Sequence, residues 1–366
     1  MNHPTVFTLI LNYNGWRDTV ECLESVQRLN YPNYRIVVID NGSSDGSMDK
    51  IKAWAAGELP VESKFFTYDP STKPVHWIEY DRATAEADGL PELEAEIEAL
   101  PPNRRMVLIQ TGANLGYAGG NNVGIRYALK RGANYVWILN NDTVAQPDAL
   151  LEMVRLAESN KQVGIVGAKI LYYDQPRLIQ AAGGMWVSRW QGMSYHYGRF
   201  EDASYWINAF EPEYVSGASM LIRILASDAE SDYFMEESFF LYWEEADWQQ
   251  RLKKKGKRLL YAPNAIVYHK ESSSVGSKTP KQEFFYTRNA IYFARLHFPW
   301  TIPTISIVHL LRAVKRALRG EWQRGIGILK GIAAGLTYNA SSWRKQPGVG
   351  SNGSKDYRGQ TSVPRR

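Results

Sequence analysis

An α/β fold, with a mostly parallel central sheet covered by helices on both faces and further helices at the C-terminal end, is predicted by three features of the sequence. Short, fully apolar runs alternate with helix-period segments through the first 170 residues. Polar residues gather at the downstream end of each apolar run. Helical patterns dominate after residue 280. Apolar strands separated by helices imply a parallel sheet buried on both faces, and such sheets bind ligands beyond the carboxyl ends of their strands.

In chain order, residues 6–11 (VFTLIL) have strand length and composition and precede a helix over 17–28. Residues 35–40 (RIVVID) form a second strand that stops at the turn Asn41-Gly42-Ser43-Ser44-Asp45-Gly46, with a helix over 47–56. A third strand covers 106–110, a helix 117–131, and a fourth strand 135–139 (YVWIL). Residues 58–105, rich in proline and acidic side chains, read as a surface excursion with one short helix over 92–100. The second half is less regular. Strands are expected over 164–171, 183–197, 214–222, 239–243, 258–261 and 265–269, with a polar helix over 244–255. Helices follow over 281–296, 304–319 and 322–336, and the last 28 residues, rich in Ser, Gly, Pro and basic groups, are expected to be disordered.

Composition narrows the functional class. One cysteine, Cys22, excludes an intrachain disulfide and any thiolate metal cluster; it falls inside the first helix, as a buried thiol would. No basic leader precedes an apolar run at the start, and no stretch reaches the roughly 18 apolar residues of a spanning helix, so a cytoplasmic location is expected. The net charge of +5 is unevenly spread. Residues 301–338 and 339–366 each carry six basic side chains and one acidic, which leaves 31 basic against 36 acidic over residues 1–300. A mildly acidic body argues against nucleic-acid binding, and the basic end argues for a charged surface element there. The 12 Trp and 22 Tyr suit flat sugar rings and equally suit an aromatic core.

Several motifs carry chemistry. Asp40, at the tip of the second strand, can accept hydrogen bonds from a nucleobase or ribose, or simply form an Asx turn. Asn140-Asn141-Asp142-Thr143 follows the fourth strand, where Asp142 is a candidate ligand for Mg2+ or Mn2+; such a cation neutralises a departing diphosphate and prefers oxygen ligands. The glycine-rich run Asn114-Leu-Gly-Tyr-Ala-Gly-Gly-Asn-Asn opens a helix whose N-terminus favours anions. It follows the third strand, unlike the dinucleotide fingerprint, and no P-loop sequence occurs. In Tyr242-Trp243-Glu244-Glu245-Ala246-Asp247, two carboxylates start a helix, and one of them can take a proton from an attacking hydroxyl. Asp247 and Arg251 have the spacing of a helix ion pair. His269 ends an apolar strand, either as a structural imidazole or as a partner of Asp142 at a metal.

Taken in order, Leu-Asn-Tyr-Asn-Gly, Val-Ile-Asp-Asn-Gly-Ser-Ser-Asp-Gly, Asn-Leu-Gly-Tyr-Ala-Gly-Gly-Asn-Asn, Leu-Asn-Asn-Asp-Thr, Ser-Gly-Ala, Tyr-Trp-Glu-Glu-Ala-Asp and Val-Tyr-His resemble the inverting glycosyltransferases of family 2, in particular their rhamnosyltransferase and galactofuranosyltransferase branch. The resemblance spans about residues 5–297. It implies a GT-A fold and transfer of a sugar, rhamnose in this branch, from a dTDP- or UDP-linked donor to a glycan or polyprenyl-diphosphate-linked acceptor in cell-surface polysaccharide synthesis. By matching positions, Leu11, Tyr13, Asp40, Asn114, Asn122 and Asn141 would hold the donor. Asp142 and His269 would hold the metal, and Glu245 would be the base. Gly217, Trp243 and Glu244 would face the acceptor. Asn140 departs from the first Asp of the metal motif, and Glu245 stands where the family usually has Asp, one methylene shorter.

On this reading residues 1–298 form the catalytic domain, with a nucleotide-binding half over 1–160, the acidic insertion 58–105 and an acceptor half over 161–298. Residues 299–338 form basic amphipathic helices and 339–366 a tail. Ile307, Leu311, Val314 and Leu318 recur at helical spacing among Arg312, Lys315, Arg316 and Arg319, a pattern that fits an anionic bilayer surface on the cytoplasmic side or a helix packed on the body. Two other functions share parts of this pattern. A sugar-phosphate nucleotidyltransferase would carry a basic glycine-rich loop after the first strand, which residues 12–16 lack. A catalytically silent sugar-binding protein would tolerate Asn140 and Glu245.

Overall fold

The computed structural model describes residues 3–270, 279–337 and 360–363. Strands β1 (Val6–Asn12) and β2 (Tyr34–Asp40) flank helix α1 (Trp16–Val26), and α2 (Ser47–Ala56) follows. Next come β3 (His76–Asp81), short helices α3 (Arg82–Glu86) and α4 (Pro91–Glu98), β4 (Arg105–Gln110), α5 (Gly116–Lys130) and β5 (Tyr135–Asn140). The remaining strands of the body are β6 (Thr143–Ala145), β7 (Val163–Tyr172), β8 (Ile179–Ala182), β9 (Gly184–Ser188), β10 (Met193–His196), β11 (Tyr214–Val215), β12 (Ser219–Arg223) and β13 (Arg258–His269). They are interspersed with α6 (Ala149–Glu158) and α7 (Glu244–Lys254), and α8 (Pro280–His297), α9 (Ile302–Leu318) and α10 (Trp322–Thr337) close the described helices.

An 11-stranded sheet runs in the order β14-β3-β4-β2-β1-β5-β12-β7-β13-β6, with β8 on β7 and with β14 being Gln360–Thr361. β3, β4, β2, β1 and β5 are mutually parallel, and β12 runs antiparallel between β5 and β7. Alternation along each strand divides the core between the two faces. Phe7, Leu9, Val37, Ile39, Val136 and Ile138 face α5. Val6, Ile10, Ile36, Val38, Trp137 and Leu139 face α1, α2 and α6. Cys22 lies in the second layer, where burial pushes its thiol up to about 12. Strand register then lines up the carboxyl ends: Asn12 sits opposite Asp40, Leu11 opposite Asn140, and Asp40 opposite Gln110.

Four segments differ from the sequence reading, each for a physical reason. The 58–105 insertion is more than a surface excursion, because β3 extends the parallel sheet and fully buries Ile78 and Tyr80. Its charged Glu79 disguises the strand; the carboxylate is buried against Lys52 (2.7 Å) and Gln110 (3.1 Å). The strand expected over 214–222 is broken at Ser216-Gly217-Ala218 into β11 and β12, which belong to different sheets. Residues 239–243 are not a strand. Phe240, Tyr242 and Trp243 have φ of 64°, 69° and 75°, a conformation incompatible with a ladder. The two strands expected over 258–269 are one, β13, with a register shift between Ala262 and Ile266 where Pro263 interrupts the pairing.

At the chain end, Gln360 and Thr361 pair antiparallel with Glu79 and Ile78 on the sheet edge, so four residues of the expected disordered tail are placed. The rest of that tail, 339–359 and 364–366, lies outside the described residues. Among the described residues no helix is long and apolar enough to cross a membrane.

Candidate active site

At the carboxyl edge of β1, β2 and β5 a hydrogen-bonded relay ties the strand ends together. Asp40, 2% exposed, accepts from Asn12 Nδ2 at 2.8 Å and from the Ser43 amide at 3.1 Å. Thr19 on α1 donates to Asn12 Oδ1 at 2.8 Å, and Asn141 Nδ2 donates to Thr19 Oγ1 at 3.0 Å. Asp40 and Asn141, 101 positions apart in sequence, are thus fixed in one frame. Tyr13 stands half exposed at the rim. Leu11 meets the glycine-rich helix at Gly120, where an added Cβ would come within 2.5 Å of Leu11 Cδ1. Asn114 caps the start of α5 by accepting from Gly116 N at 2.9 Å, and Asn41 Nδ2 reaches it at 3.2 Å.

Asn122, expected at the donor, ties α5 to the 235–237 loop: Nδ2 donates to Met235 O (2.9 Å) and Glu237 Oε1 (3.0 Å), and Oδ1 accepts from Met235 N (2.9 Å).

Asp142 follows β5 directly, and His269 ends β13, which pairs with β6 at Thr143. The imidazole Nε2 lies 3.0 Å from Asp142 Oδ1, and Nδ1 lies 2.6 Å from Gln180 Oε1. Where Nδ1–H donates to Gln180, the Nε2 lone pair faces the Asp142 carboxylate, and a proton or a cation between them relieves the repulsion; where the Gln180 amide donates to Nδ1, Nε2–H bonds to Asp142 directly. One carboxylate and one imidazole suit Mn2+ or Mg2+ with phosphate oxygens completing the shell. Among the described residues no group of three or more protein ligands converges, so this donor set fits a cation shared with a ligand.

The base side is assembled from three elements. Glu245, in the first turn of α7, accepts from the Gly217 amide at 3.1 Å. The Tyr117 hydroxyl of α5 lies within hydrogen-bond reach of both Gly217 O (3.0 Å) and the Glu245 carboxylate, and its single proton serves one of them at a time. A Cβ at Gly217 would collide with the Glu245 carboxylate and reach within 2.5 Å of the Tyr117 hydroxyl. The break between β11 and β12 therefore makes the space that Glu245 occupies. Burial holds the Tyr117 phenol well above its usual range, with the charges of Glu245, Glu244 and, least, Asp142 adding to it.

Burial raises both glutamates above the usual carboxyl range, and Glu245's charge raises Glu244 further. The Gly217 amide, and Tyr117 when its proton turns to the carboxylate, favour ionised Glu245; backbone groups at Tyr242 and Glu244 do the same for Glu244, although its Oε2 is buried with no hydrogen-bond partner. The two carboxyls titrate as one coupled pair. Trp243, expected at the acceptor, is 7% exposed, with its ring against Phe293 at 5.1 Å and Tyr286 at 5.8 Å; Glu244, expected there too, is 3% exposed.

Residues that the sequence reading did not single out hold this geometry. Asn289 Nδ2 on α8 reaches the carbonyls of Phe239 (2.8 Å), Leu241 (2.8 Å) and Tyr242 (2.9 Å), and Arg288 reaches Ser238 O and Phe239 O. Those carbonyls belong to the positive-φ segment that delivers Glu244 and Glu245. Asn12 and Tyr117 lay inside quoted motifs; Thr19, Gln180 and Asn289 carried no sequence signal.

The sequence profile of glycosyl transferase family 2 matches residues 8–70 and 85–223, more than half of the chain. The chain belongs to glycosyltransferase family 2. Among its family 2 relatives is the N-acetylglucosaminyl-diphospho-decaprenol L-rhamnosyltransferase of Mycobacterium tuberculosis, 26% identical over 277 residues, 67% of this chain and 85% of that protein. Hyaluronan synthase 2 of Homo sapiens is 26% identical over 156 residues, 41% of this chain but only 26% of the synthase. Two solved structures share the GT-A fold. They are the mannosyltransferase PcManGT of Pyrobaculum calidifontis in complex with GDP-Man and Mn2+ (TM-score 0.51, 14% identity, 94% of this chain and 89% of that one), and GalNAc-T7 with UDP, GalNAc and Mn2+ (TM-score 0.53, 12% identity, 93% and 57%). This family 2 glycosyltransferase therefore has a GT-A fold with C-terminal helices added.

Proposed function

We propose that this glycosyltransferase inverts the anomeric centre, moving a sugar (rhamnose on the strength of the relative that spans most of both chains) from a nucleoside-diphosphate donor to a hydroxyl of a lipid-linked or glycan acceptor at the cytoplasmic face of a membrane. The observation that carries the reading is Glu245, a half-buried carboxylate at the start of α7 held by the Gly217 amide at 3.1 Å, in space that only a glycine at 217 leaves open. In the transfer Glu245 accepts the acceptor hydroxyl proton while that oxygen bonds to the anomeric carbon. The bond from that carbon to the diphosphate breaks on the opposite face, and its electron pair leaves with the nucleoside diphosphate. A divalent cation held by Asp142 and His269 would supply charge neutralisation for that leaving group. Asp40 and the Asn12–Thr19–Asn141 relay orient the nucleoside side, and Glu244, still protonated, can offer a hydrogen bond to the acceptor.

The test is a panel of dTDP- and UDP-sugars with Mn2+, followed by release of nucleoside diphosphate. Slow hydrolysis of one donor, dTDP-rhamnose foremost, is the expected result. Failure to consume any donor overturns the reading, and pyrophosphate release from a sugar phosphate replaces it with nucleotidyl transfer.

A further inference from the structure

The two C-terminal helices leave an apolar surface and a basic cleft beside each other, and the catalytic reading uses neither. On α9, Ile305, His309 and Ala313 face the body, while Ile307, Leu311, Val314 and Leu318 recur on another side and are between 49% and 84% exposed. On α10, Gly327, Gly331 and Gly335 lie so close to α8 that an added Cβ would meet Pro280, Phe284 and Ile291 respectively, while Trp322, Ile326 and Leu329 are exposed. Gly325 touches α9 at Ala313. At 100° per residue the exposed stripe of each helix lies next to the edge that meets the other, on the side away from the body. The stripes therefore form one apolar face, and large continuous apolar faces mark interaction sites.

Along the other flank of α9 opens a cleft of about 280 Å³ shared with the β9–β10 hairpin. Arg312, Lys315, Arg316 and Arg319 line it, with Gln191 and Tyr195 opposite. Two of these cations are pre-set. Arg312 and Arg316 are held by the fully buried Glu283, at 3.1 and 3.6 Å. Lys315 and Arg319 are exposed and have no ion-pair partner among the described residues. His309, buried, ties the hairpin to the helix through Gly192 O at 3.2 Å, which keeps the cleft's two walls together. Core packing links the wall of the cleft to the segment that carries Glu244 and Glu245. The Arg312 guanidinium lies 5.6 Å from the Tyr286 ring, Ser194 of the hairpin donates to the Tyr286 hydroxyl at 3.1 Å, and that ring contacts Tyr242 and Trp243, which lead into Glu244 and Glu245.

We propose that this cleft binds the diphosphate of a polyprenyl-diphosphate-linked acceptor, with the apolar face of α9 and α10 seated in the bilayer that carries the lipid. The inference rests on the glycosyltransfer reading for the acceptor's place in the reaction. Guanidinium and ammonium groups converging from one helix suit a diphosphate. An adjoining apolar face with Trp322 at its edge suits the membrane interface.

Flotation of the full chain with phosphatidylcholine vesicles containing undecaprenyl diphosphate tests this. The protein is expected to float with those vesicles and not with phosphatidylcholine alone, and inorganic pyrophosphate should displace it. Lys315→Glu combined with Arg319→Glu should weaken binding at least about tenfold, and Leu311→Ser with Leu318→Ser should abolish flotation, with melting curves confirming that each variant is folded. Equal binding to phosphatidylglycerol vesicles of the same charge would overturn the site in favour of general anionic adhesion. Absence of flotation, or parental binding by either double variant, would overturn it outright. Donor hydrolysis by the parent protein, measured in solution without lipid, reports separately on the glycosyltransfer reading, so the two failures remain distinct.

Discussion

Glu244 and Glu245 are neighbours in one helical turn with similar burial penalties, yet their surroundings give them different chemistry. Glu245 has a backbone amide and a phenol directed at it, which stabilise the carboxylate; Glu244 has a buried oxygen with no partner and the neighbouring charge to oppose its ionisation. One is built to accept a proton and the other to keep one. Glu245→Gln should cut turnover by about 10²-fold or more while the donor dissociation constant, measured by titration calorimetry, stays near that of the parent. The pH profile follows from the direction of the shift. A base must be ionised to work, and burial pushes Glu245 up to about 7; activity should therefore be lost as pH falls through the neutral range, well before an ordinary glutamate would protonate. A kcat/KM that stays flat down to pH 5 would remove Glu245 from the role. The sequence located this pair, and the family resemblance named Glu245 as the base; the physical distinction between the two comes from Gly217 and Tyr117, 28 and 128 positions upstream.

Elements position the site through their interruptions. The 239–243 segment looks like a strand by composition, yet its three positive-φ residues are stable only because Asn289 of α8 satisfies three carbonyls that no ladder reaches. Asn289→Ala should cost about 1–3 kcal/mol through those unsatisfied buried carbonyls and should speed amide exchange over residues 240–245. Loss of activity is expected even where the melting curve shows the protein folded. Unchanged exchange in that segment would show the clamp to be incidental. A similar interruption at Ser216-Gly217-Ala218 splits the run expected as one strand. Apolar periodicity reports burial, and burial alone does not say whether the backbone hydrogen bonds go to a neighbouring strand or to a side chain.

Across the whole molecule the metal-side pair is a product of topology. Asp142 and His269 lie 127 positions apart and meet because β6 pairs with β13, at 3.0 Å between carboxylate and imidazole. Removal of divalent cations with EDTA should abolish donor hydrolysis, and added Mn2+ should restore it; Asp142→Ala should prevent the restoration. Full activity in EDTA would leave the pair as a structural ion pair. At the opposite edge, β3 shows how the 58–105 insertion escaped recognition. A buried Glu79 breaks the apolar pattern, and only its partners Lys52 and Gln110, on other elements, make that burial tolerable.

The sequence by itself determined the alternation of strand and helix, the polar residues at the strand ends, and the ordered motifs that mark a family 2 glycosyltransferase. These are local patterns, written in the spacing of apolar residues and in short runs of chemistry. Tertiary structure alone tied Asn122 to the 235–237 loop, packed Trp243 among aromatic rings, and gave Glu244 and Glu245 different hydrogen-bond partners. It also decided that basic residues of α9 face a hairpin across a cleft. Each of these depends on which distant groups satisfy a buried donor, acceptor or charge, and long-range pairing of that kind is set by the folded chain.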